Sequence, residues 1–256
     1  MSGRGYQYGY SGVSAEMHSL EGRRRKAGTM LAVLRDALGD DLREARVLNV
    51  GCSTGIIDEC TAPHVASVMG IDIDAPAVES ALARCTAPNA TFRVGDAMHL
   101  DFPDASFDVV VCSQVYEHVP DPVRMMDEIY RVLVPGGVCY FAATNRFCIM
   151  EKHYRLPFLS VIPVPLAHLY LRLLRRGKFY YERHLSLSGL RRLVHRFEVS
   201  DYTRKILSHP DDYAAEYMLG GRIKLGVART LARSAYAVFP GYVWLLKHPQ
   251  EPHAKG

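Results

Sequence analysis

The chain has 256 residues, of which 48% are hydrophobic and 23% are charged, and its net charge is +4. These values are typical of a folded domain with one sizeable core, and they exclude a disordered chain, which would carry less apolar and more charged sequence. The net charge is too mild to indicate a nucleic-acid partner by itself. Basic residues do cluster, and we interpret these clusters first as solvated surface: residues 23–26, 172–178 and 191–196.

The cysteine pattern predicts neither a disulfide framework nor a metal site. The six cysteines form no Cys-x-x-Cys pair and have no histidine at metal-ligand spacing. Cys112 and Cys139 lie inside apolar strand patterns, where a free thiol behaves as a small hydrophobe. The sequence also shows no apolar signal segment after Met1 and no apolar run of membrane-spanning length. We therefore expect a cytoplasmic protein.

Helical periodicity over residues 16–38 follows a Gly- and Tyr-rich start, in which Tyr6, Tyr8 and Tyr10 form either a lid or an unstructured arm. From residue 46 to 144, apolar strands alternate with helical patterns and predict five parallel strands. The helices between them are predicted near residues 55–61, 75–85 and 121–133. For the last part of the chain we predict a helix over 187–197, a strand near 198–206, a helix near 222–238 and a final strand over 242–247.

The first strand runs into a glycine-rich turn. Residues 47–50 are mostly apolar, and Gly51 and Gly55 follow with the spacing Gly-x-x-x-Gly. One helix later, a second strand ends on Asp72. Glycine lets the backbone approach a ligand, the following helix offers unpaired N–H groups, and a carboxylate at a strand end accepts hydrogen bonds from ribose hydroxyls. The sequence therefore predicts a nucleoside site at the carboxyl edge of a parallel sheet.

Three further motifs follow in order. One strand ends in Gly95-Asp96, a buried strand precedes Ser113-Gln114-Val115-Tyr116-Glu117-His118, and Pro135-Gly136-Gly137 leads into a fifth strand. Together with the glycine-rich turn, these motifs resemble class I S-adenosylmethionine-dependent methyltransferases, specifically the small-molecule branch called type 11. The resemblance covers about residues 40–145. It implies an α/β fold: a Rossmann-like, doubly wound, mostly parallel seven-stranded sheet with a reversed last strand, and a helical, aromatic cap inserted after the fifth strand.

This resemblance divides the chain into an N-terminal lid and helix, a cofactor-binding core, a substrate cap, a C-terminal completion of the sheet and a short tail. The corresponding ranges are 1–40, 41–145, 146–185, 186–250 and 251–256.

The resemblance also implies S-adenosylmethionine as the cofactor. Gly51, Cys52, Ser53 and Gly55 would then pack along its methionine portion, and Asp72 would bind the ribose. Ile73 would lie against the adenine, Asp96 would take the adenine amino group, and Ala97 and Met98 would line that pocket. Ser113 and Gln114 would lie nearest the transferred methyl group.

Two positions depart from the family pattern. Asn49 replaces the usual acid, so the ammonium group of the cofactor keeps at most an amide oxygen as its partner. Ser53 replaces the middle glycine of the turn and adds a side chain where the ligand passes. Restoring the acid with Asn49→Asp is expected to tighten cofactor binding or to leave it unchanged.

The cap is rich in Leu, Phe and Tyr, punctuated by prolines and closed by basic residues. This composition predicts an apolar acceptor. Its apolar side chains either roof the acceptor pocket, or rest on an anionic membrane surface and admit a lipid-like acceptor. Candidate acceptor-binding residues are Asn145, Arg146, Tyr154, Phe158, Tyr180 and Tyr181.

His118 is the candidate catalytic residue. It follows the fourth strand, and the ordinary pKa of histidine suits proton removal near neutrality. The alternative is that His118 fixes its loop through a backbone hydrogen bond.

Three functions compete at this stage. The leading one is methylation of a small molecule in a biosynthetic pathway, most often at oxygen in this branch, with carbon and nitrogen left open. A second is an RNA methyltransferase, but the Asn/Asp-Pro-Pro-aromatic motif of base amino-methylation is absent after the fourth strand, and we expect no nucleic-acid partner. The third, suggested by Asn49 and Ser53, is a non-catalytic partner protein that binds S-adenosylmethionine. The sequence does not predict the oligomeric state.

Overall fold

A computed structural model describes residues 8, 9, 12 and 15–250 of the chain. Tyr6, Tyr10 and the tail over 251–256 lie outside the described residues, and Tyr8 is exposed. The strands are β1 Arg46–Val50, β2 Ser67–Asp72, β3 Ala90–Val94, β4 Phe107–Ser113, β5 Leu133–Thr144, β6 Met150–Glu151, β7 Leu156–Pro157, β8 Glu198–Asp201 and β9 Gly241–Lys247. The helices are α1 Leu20–Leu38, α2 Ile56–Thr61, α3 Ala75–Arg84, α4 Pro122–Val132, α5 Val164–Leu173, α6 Leu187–Leu193, α7 Tyr202–Ser208, α8 Glu216–Leu219 and α9 Arg222–Ser234.

Seven strands form one sheet in the order β3-β2-β1-β4-β5-β9-β8. Strands β1 to β5 are parallel to one another, and β9 is antiparallel to both β5 and β8. The predicted doubly wound sheet with a reversed last strand is therefore confirmed. Parallel strands require crossover helices, which is why the alternation of strand and helix along the chain predicted this topology.

Helices cover both faces of the sheet, as the continuous apolar runs of β1, β4 and β5 require. Alternate residues of β4 point to opposite faces: Val110 packs with α4 and α6, whereas Val109 and Val111 pack with α1 and α7. The two faces therefore carry separate apolar layers, and the carboxyl ends of β1 to β4 emerge at one edge between them.

Three predicted elements near the C-terminus end earlier than the pattern indicated. Helix α6 stops at Leu193, α9 stops at Ser234, and β8 stops at Asp201 instead of continuing to residue 206. The Asp201 carboxylate accepts a hydrogen bond from the backbone N–H of Thr203 and caps α7. An N-terminal cap of this kind starts a helix even where a strand pattern would otherwise continue.

The cap after β5 contains the β6–β7 hairpin and α5, and it has a small core of its own. Leu156, Leu159, Ala167, Leu171 and Tyr180 are buried together there. Among the described residues, no helix combines the length and apolar character needed to cross a membrane.

Candidate functional site

A cavity of about 550 Å³ lies at the carboxyl ends of β1 to β4 and extends to the cap. Its walls come from the glycine-rich turn, from the loops after β2, β3 and β4, from α1, and from residues 152–155 of the cap. Open parallel sheets bind ligands in this position, because the loops after neighbouring strands converge there. The volume falls within the range of small-molecule sites.

Two glycines shape the turn after β1. Gly51 and Gly55 have φ angles of 78° and 69°, a region that favours glycine. A Cβ atom at Gly51 would lie 2.7 Å from a methyl group of Val115, and one at Gly55 would lie 2.8 Å from both Ala81 and Phe92. Gly51 lines the cavity, whereas Gly55 is required by the packing of α2 against α3 and β3.

Asp72, at the end of β2, organises the same turn. Its carboxylate accepts hydrogen bonds from the backbone N–H groups of Ser53, at 2.7 Å, and Asp74, at 2.9 Å. Burial raises the pKa of Asp72, and the two backbone donors oppose that rise. Each carboxylate oxygen can accept a further bond, so Asp72 can hold the turn and still bind a ligand hydroxyl in the cavity that it lines.

Asn49 lies beneath the turn and does not line the cavity. Its side-chain amide donates to both carboxylate oxygens of Asp58, at 3.0 and 2.9 Å, and both residues are buried. Burial raises the pKa of Asp58 to about 7, although the hydrogen bond from Asn49 opposes the change. The residue at the position expected for an acid on β1 is thus held by an acid on α2, nine residues later, and neither residue lines the cavity.

The loops after β3 and β4 complete this side of the cavity. Asp96 accepts a hydrogen bond from the backbone N–H of Met98 at 2.8 Å, which fixes its carboxylate at the wall. Gln114 has a φ angle of 59°, an uncommon backbone conformation outside glycine, and its amide oxygen accepts from the hydroxyl of Thr144 at 2.5 Å. The end of β4 is thereby held rigidly.

Most of the residues predicted from the sequence lie at this cavity. Those that line it are Gly51, Ser53, Asp72, Ile73, Asp96, Ala97, Ser113, Gln114, His118 and Tyr154. Those that lie away from its walls are Asn49, Cys52, Gly55, Met98, Asn145, Arg146, Phe158, Tyr180 and Tyr181.

The predicted acceptor residues away from the cavity have other partners. The Asn145 amide donates to the carbonyls of Ala237 and Phe239, and so ties β5 to the segment before β9. Tyr180 belongs to the core of the cap, whereas Phe158 and Tyr181 are exposed. Their proposed contact with an acceptor remains a prediction.

The sequence reasoning missed several charged residues of the cavity wall. Arg23 and Lys26 reach it from α1, and the cap contributes Lys152, His153, Arg155, Arg176 and Glu182. The basic clusters at 23–26 and 172–178 are the signal in the sequence for these residues, and part of each cluster lines the cavity instead of forming only solvated surface. The cap therefore presents mainly polar groups to the cavity, while its leucines pack elsewhere.

Three histidine rings form a row at the cap side of the cavity. The His118 ring meets His153 edge-on, with centroids 4.9 Å apart, and His153 stacks on His184 at 6.3 Å. Behind them, the buried Glu151 carboxylate lies 2.5 Å from Nδ1 of His153. Burial alone would raise the pKa of Glu151, but the hydrogen bond with His153 and the nearby imidazole of His184 lower it to about 2.

Comparison with known proteins places this geometry in context. Residues 48–141 match a family model described as a methyltransferase domain. The chain is 32% identical over 157 residues to a ubiquinone biosynthesis O-methyltransferase of Psychrobacter arcticus, covering 58% of this chain and 56% of that protein. It is 33% identical over 149 residues to the protein of that name in Pseudomonas entomophila, covering 57% and 60% respectively. The chain thus spans somewhat more than half the length of these relatives.

Solved structures resemble the chain over most of its length. An S-adenosylmethionine-dependent methyltransferase from Mesorhizobium loti superposes with a TM-score of 0.57 at 15% identity, covering 86% of this chain and 97% of that one. A protein from Pyrococcus horikoshii superposes with a TM-score of 0.59 at 17% identity, covering 95% and 100%. At these identities the likeness shows the fold.

Proposed function

We propose that this chain is a class I S-adenosylmethionine-dependent methyltransferase of the type 11 branch, which transfers a methyl group from S-adenosylmethionine to an oxygen atom of a small acceptor. The match of residues 48–141 to a methyltransferase domain supports this proposal. The observation that carries the proposal is a single cavity. At one end it contains the carboxylates of Asp72 and Asp96, and at the other it contains His118 and the polar wall of the cap. The cofactor and the acceptor could therefore bind side by side in the same cavity.

The residues at the sheet edge fit the cofactor. The Ser53 hydroxyl is buried at the cavity wall without a hydrogen-bond partner among the described residues, so a bound ligand would satisfy it. We assign Asp72 to the ribose hydroxyls, Asp96 to the adenine, and the basic side chains of Arg23 and Lys26 to the carboxylate of the cofactor.

When bound, S-adenosylmethionine supplies an electrophilic methyl group on a sulfonium centre, so the protein must mainly align the acceptor and exclude water. Gln114, held by Thr144 and by its own backbone N–H to Ala142, keeps the end of β4 fixed where the two ligands meet. His118 lines the same wall and is placed to accept the proton of an acceptor hydroxyl.

The walls favour an amphipathic acceptor. Polar and charged cap residues such as Lys152 and Arg155 face the cavity, whereas the leucines of α5 do not. A polar reacting end would fit inside the cavity, and an apolar portion would extend along the cap. The names of the relatives point to oxygen methylation in quinone biosynthesis, and we propose a phenol- or quinol-like acceptor on that basis.

A methyl-transfer assay tests this proposal. Purified protein is incubated with isotope-labelled S-adenosylmethionine and fractionated cell extract, and mass spectrometry identifies the labelled product and the methylated atom. We expect one dominant amphipathic product labelled at oxygen. Labelling at carbon or nitrogen would contradict the assigned atom, and a bound cofactor with no labelled product would favour the non-catalytic alternative.

We also propose that the outer face of α5 contacts an anionic membrane surface. Leu166, Leu169 and Leu173 are 56%, 51% and 71% exposed, and their spacing places them on one side of the helix. A helix facing water normally carries polar residues there, so exposed leucines indicate an interaction surface. Arg172, Arg175 and Lys178 surround it with positive charge, and they are exposed as well.

Vesicle sedimentation tests this contact. We expect binding to anionic vesicles that weakens with added salt, and we expect the triple change of Leu166, Leu169 and Leu173 to Gln to abolish it. A matched triple change of exposed apolar residues on α9 and at the end of β3, namely Ile223, Val227 and Val94 to Gln, should leave binding intact. Failure of the wild-type protein to sediment at low salt would eliminate the proposal.

A further inference from the structure

The cap brings together three side chains, two that are close in sequence and one that arrives from about 30 residues later. Glu151 ends β6, His153 follows in the next turn, and His184 arrives from the segment before α6. One potential ligand atom of each lies within 4.8 Å of the others. We propose that Glu151, His153 and His184 form a binding site for a divalent transition-metal ion.

The distances suit a metal ion. Nε2 of His184 lies 3.5 Å from the Glu151 carboxylate, which is too long for a good hydrogen bond. Ions such as Zn²⁺ bind imidazole nitrogen and carboxylate oxygen at roughly 2.0–2.2 Å, so ligand atoms around one ion lie roughly 3–3.5 Å apart. The pair of Glu151 and His184 already has this spacing. The contact between Glu151 and His153, at 2.5 Å, would need to lengthen by roughly 0.5–1 Å to reach the same range.

The donor set also indicates which class of ion would bind. Two imidazoles and one carboxylate suit transition metals, whereas Mg²⁺ and Ca²⁺ prefer oxygen ligands alone. Three protein ligands leave coordination positions open for water or for a substrate oxygen. Zn²⁺, Mn²⁺ and Co²⁺ are therefore the ions to test.

Backbone hydrogen bonds hold His184, the proposed metal ligand from the segment before α6, in place. The N–H of Arg183 donates to the carbonyl of Glu117 at 3.1 Å, and the N–H of Leu185 donates to the hydroxyl of Tyr116 at 3.1 Å. His184 lies between these two anchors and is buried. A ligand fixed by its own backbone keeps the geometry that a metal site needs.

The cluster opens to the cavity through His153, beside His118 and Glu182. If the proposed methyl transfer holds, the ion would bind an acceptor hydroxyl at an open position and lower its pKa, so that the oxygen is ionised near neutral pH and its proton passes to His118 or to solvent. The class of acceptor is then one with a metal-binding oxygen, such as a phenol with a neighbouring oxygen substituent.

Metal binding is measured on the full chain, prepared without a polyhistidine tag and treated with a chelator. Calorimetry with Zn²⁺ and Mn²⁺, and the visible spectrum with Co²⁺, should report one ion per chain. His153→Asn and His184→Asn should weaken binding by at least roughly 100-fold, since even a supporting residue contributes 10–100-fold. His195→Asn, at an exposed histidine outside the cluster, is the control and should bind as the wild type does.

The outcomes separate the two proposals. No binding of any of the three ions, or equal binding by His153→Asn and the wild type, would overturn the metal site. The His153 side chain is partly exposed, and a melting temperature close to wild type would show that this variant is folded. Metal binding without methyl transfer would contradict the proposed function alone. Transfer that survives chelation unchanged would contradict the role of the ion in ionising the acceptor.

Discussion

The sheet edge and the cap form two halves of one cavity, but the carboxylates in the two halves have different hydrogen-bond partners. At the sheet edge, the carboxylates of Asp72 and Asp96 accept hydrogen bonds from backbone N–H groups of the surrounding turns. In the cap, Glu151 accepts one backbone N–H, but it also contacts the imidazole of His153, two residues away, and that of His184, from a separate segment. Backbone donors support a site that is rigid before any ligand arrives. The side-chain contacts of Glu151 are open to change by an ion or a substrate.

The two regions also differ in how they bury apolar surface. The sheet has large apolar layers on both faces, whereas the core of the cap contains few buried side chains, and α5 exposes leucines on its outer side. Small cores contribute little stability and open first. The cap is therefore the region that we expect to move, and the sheet is the region that holds it.

The largest expected effect concerns His118, which lies where the two regions meet. Its backbone N–H donates to the carbonyl of Val115 at 2.9 Å, while its ring packs against His153 at the cavity. The backbone contact survives mutation, so we expect His118→Ala to lower turnover by roughly 10²–10⁴-fold with little change in melting temperature. The pH–rate profile should lose its lower limb. A large loss of stability with normal turnover would show that the ring is only an anchor for the loop.

A pair of truncations tests the difference in packing. Leu48 in β1 and Leu171 in α5 are both fully buried. We expect Leu48→Ala to lower the free energy of unfolding by about 2–5 kcal/mol, the usual range for a leucine in a main core. Leu171→Ala should change global unfolding much less and should instead speed proteolysis within residues 150–180. Equal global losses in urea denaturation would show that cap and sheet unfold as one unit.

A smaller effect concerns the pH dependence of stability, which involves the buried pair of Asn49 and Asp58 beneath the glycine-rich turn. The folded-state pKa of Asp58 is about 7, above the value of about 3.9 in an unfolded chain. Between these values the folded protein holds a proton that the unfolded chain has lost. The stability contributed by protonated Asp58 is therefore complete below about pH 4 and declines as the pH rises toward 7.

Asp58→Asn removes this titration, and its side chain can still bond to Asn49. We expect the fall in unfolding free energy between pH 5 and pH 7.5 to be shallower in the variant than in the wild type, by no more than about 3 kcal/mol. Asp101→Asn, at an exposed carboxylate, is the control and should keep the wild-type slope. Identical slopes in all three proteins would mean that Asp58 is ionised throughout.

The sheet could be predicted from the sequence because its signals are local. The central strands β1 and β4 are largely buried apolar runs, and site residues such as Asp72 and Gln114 lie at or directly after the end of a strand. The partner of Asn49 could not be predicted in this way, because the contact depends on which side of α2 faces β1. With Asp58 so close, Asn49→Asp would place two buried carboxylates side by side, so the structure no longer supports the expectation of tighter cofactor binding.

The side chains with which the cap lines the cavity could not be predicted either, because their orientation depends on the fold. Its composition indicated an apolar roof, but composition does not reveal which leucines point inward. Leu171 packs inside the cap, Leu169 faces outward, and the cavity wall is made by His153 and Arg155 from the turn between the two short strands. The cluster of Glu151, His153 and His184 has no spacing rule in the sequence, since His184 joins it only through the fold.

The central claim is that the sheet edge binds S-adenosylmethionine through Asp72. Calorimetric titration of the cofactor and of its demethylated product into wild-type protein, Asp72→Ala and the exposed control Asp101→Ala tests it most directly. We expect Asp72→Ala to weaken binding by about 1–3 kcal/mol, because ribose hydroxyls lose a buried acceptor, and we expect the control to bind as the wild type does. Unchanged affinity in a folded Asp72→Ala protein, or no binding of either ligand by the wild type, would contradict the account.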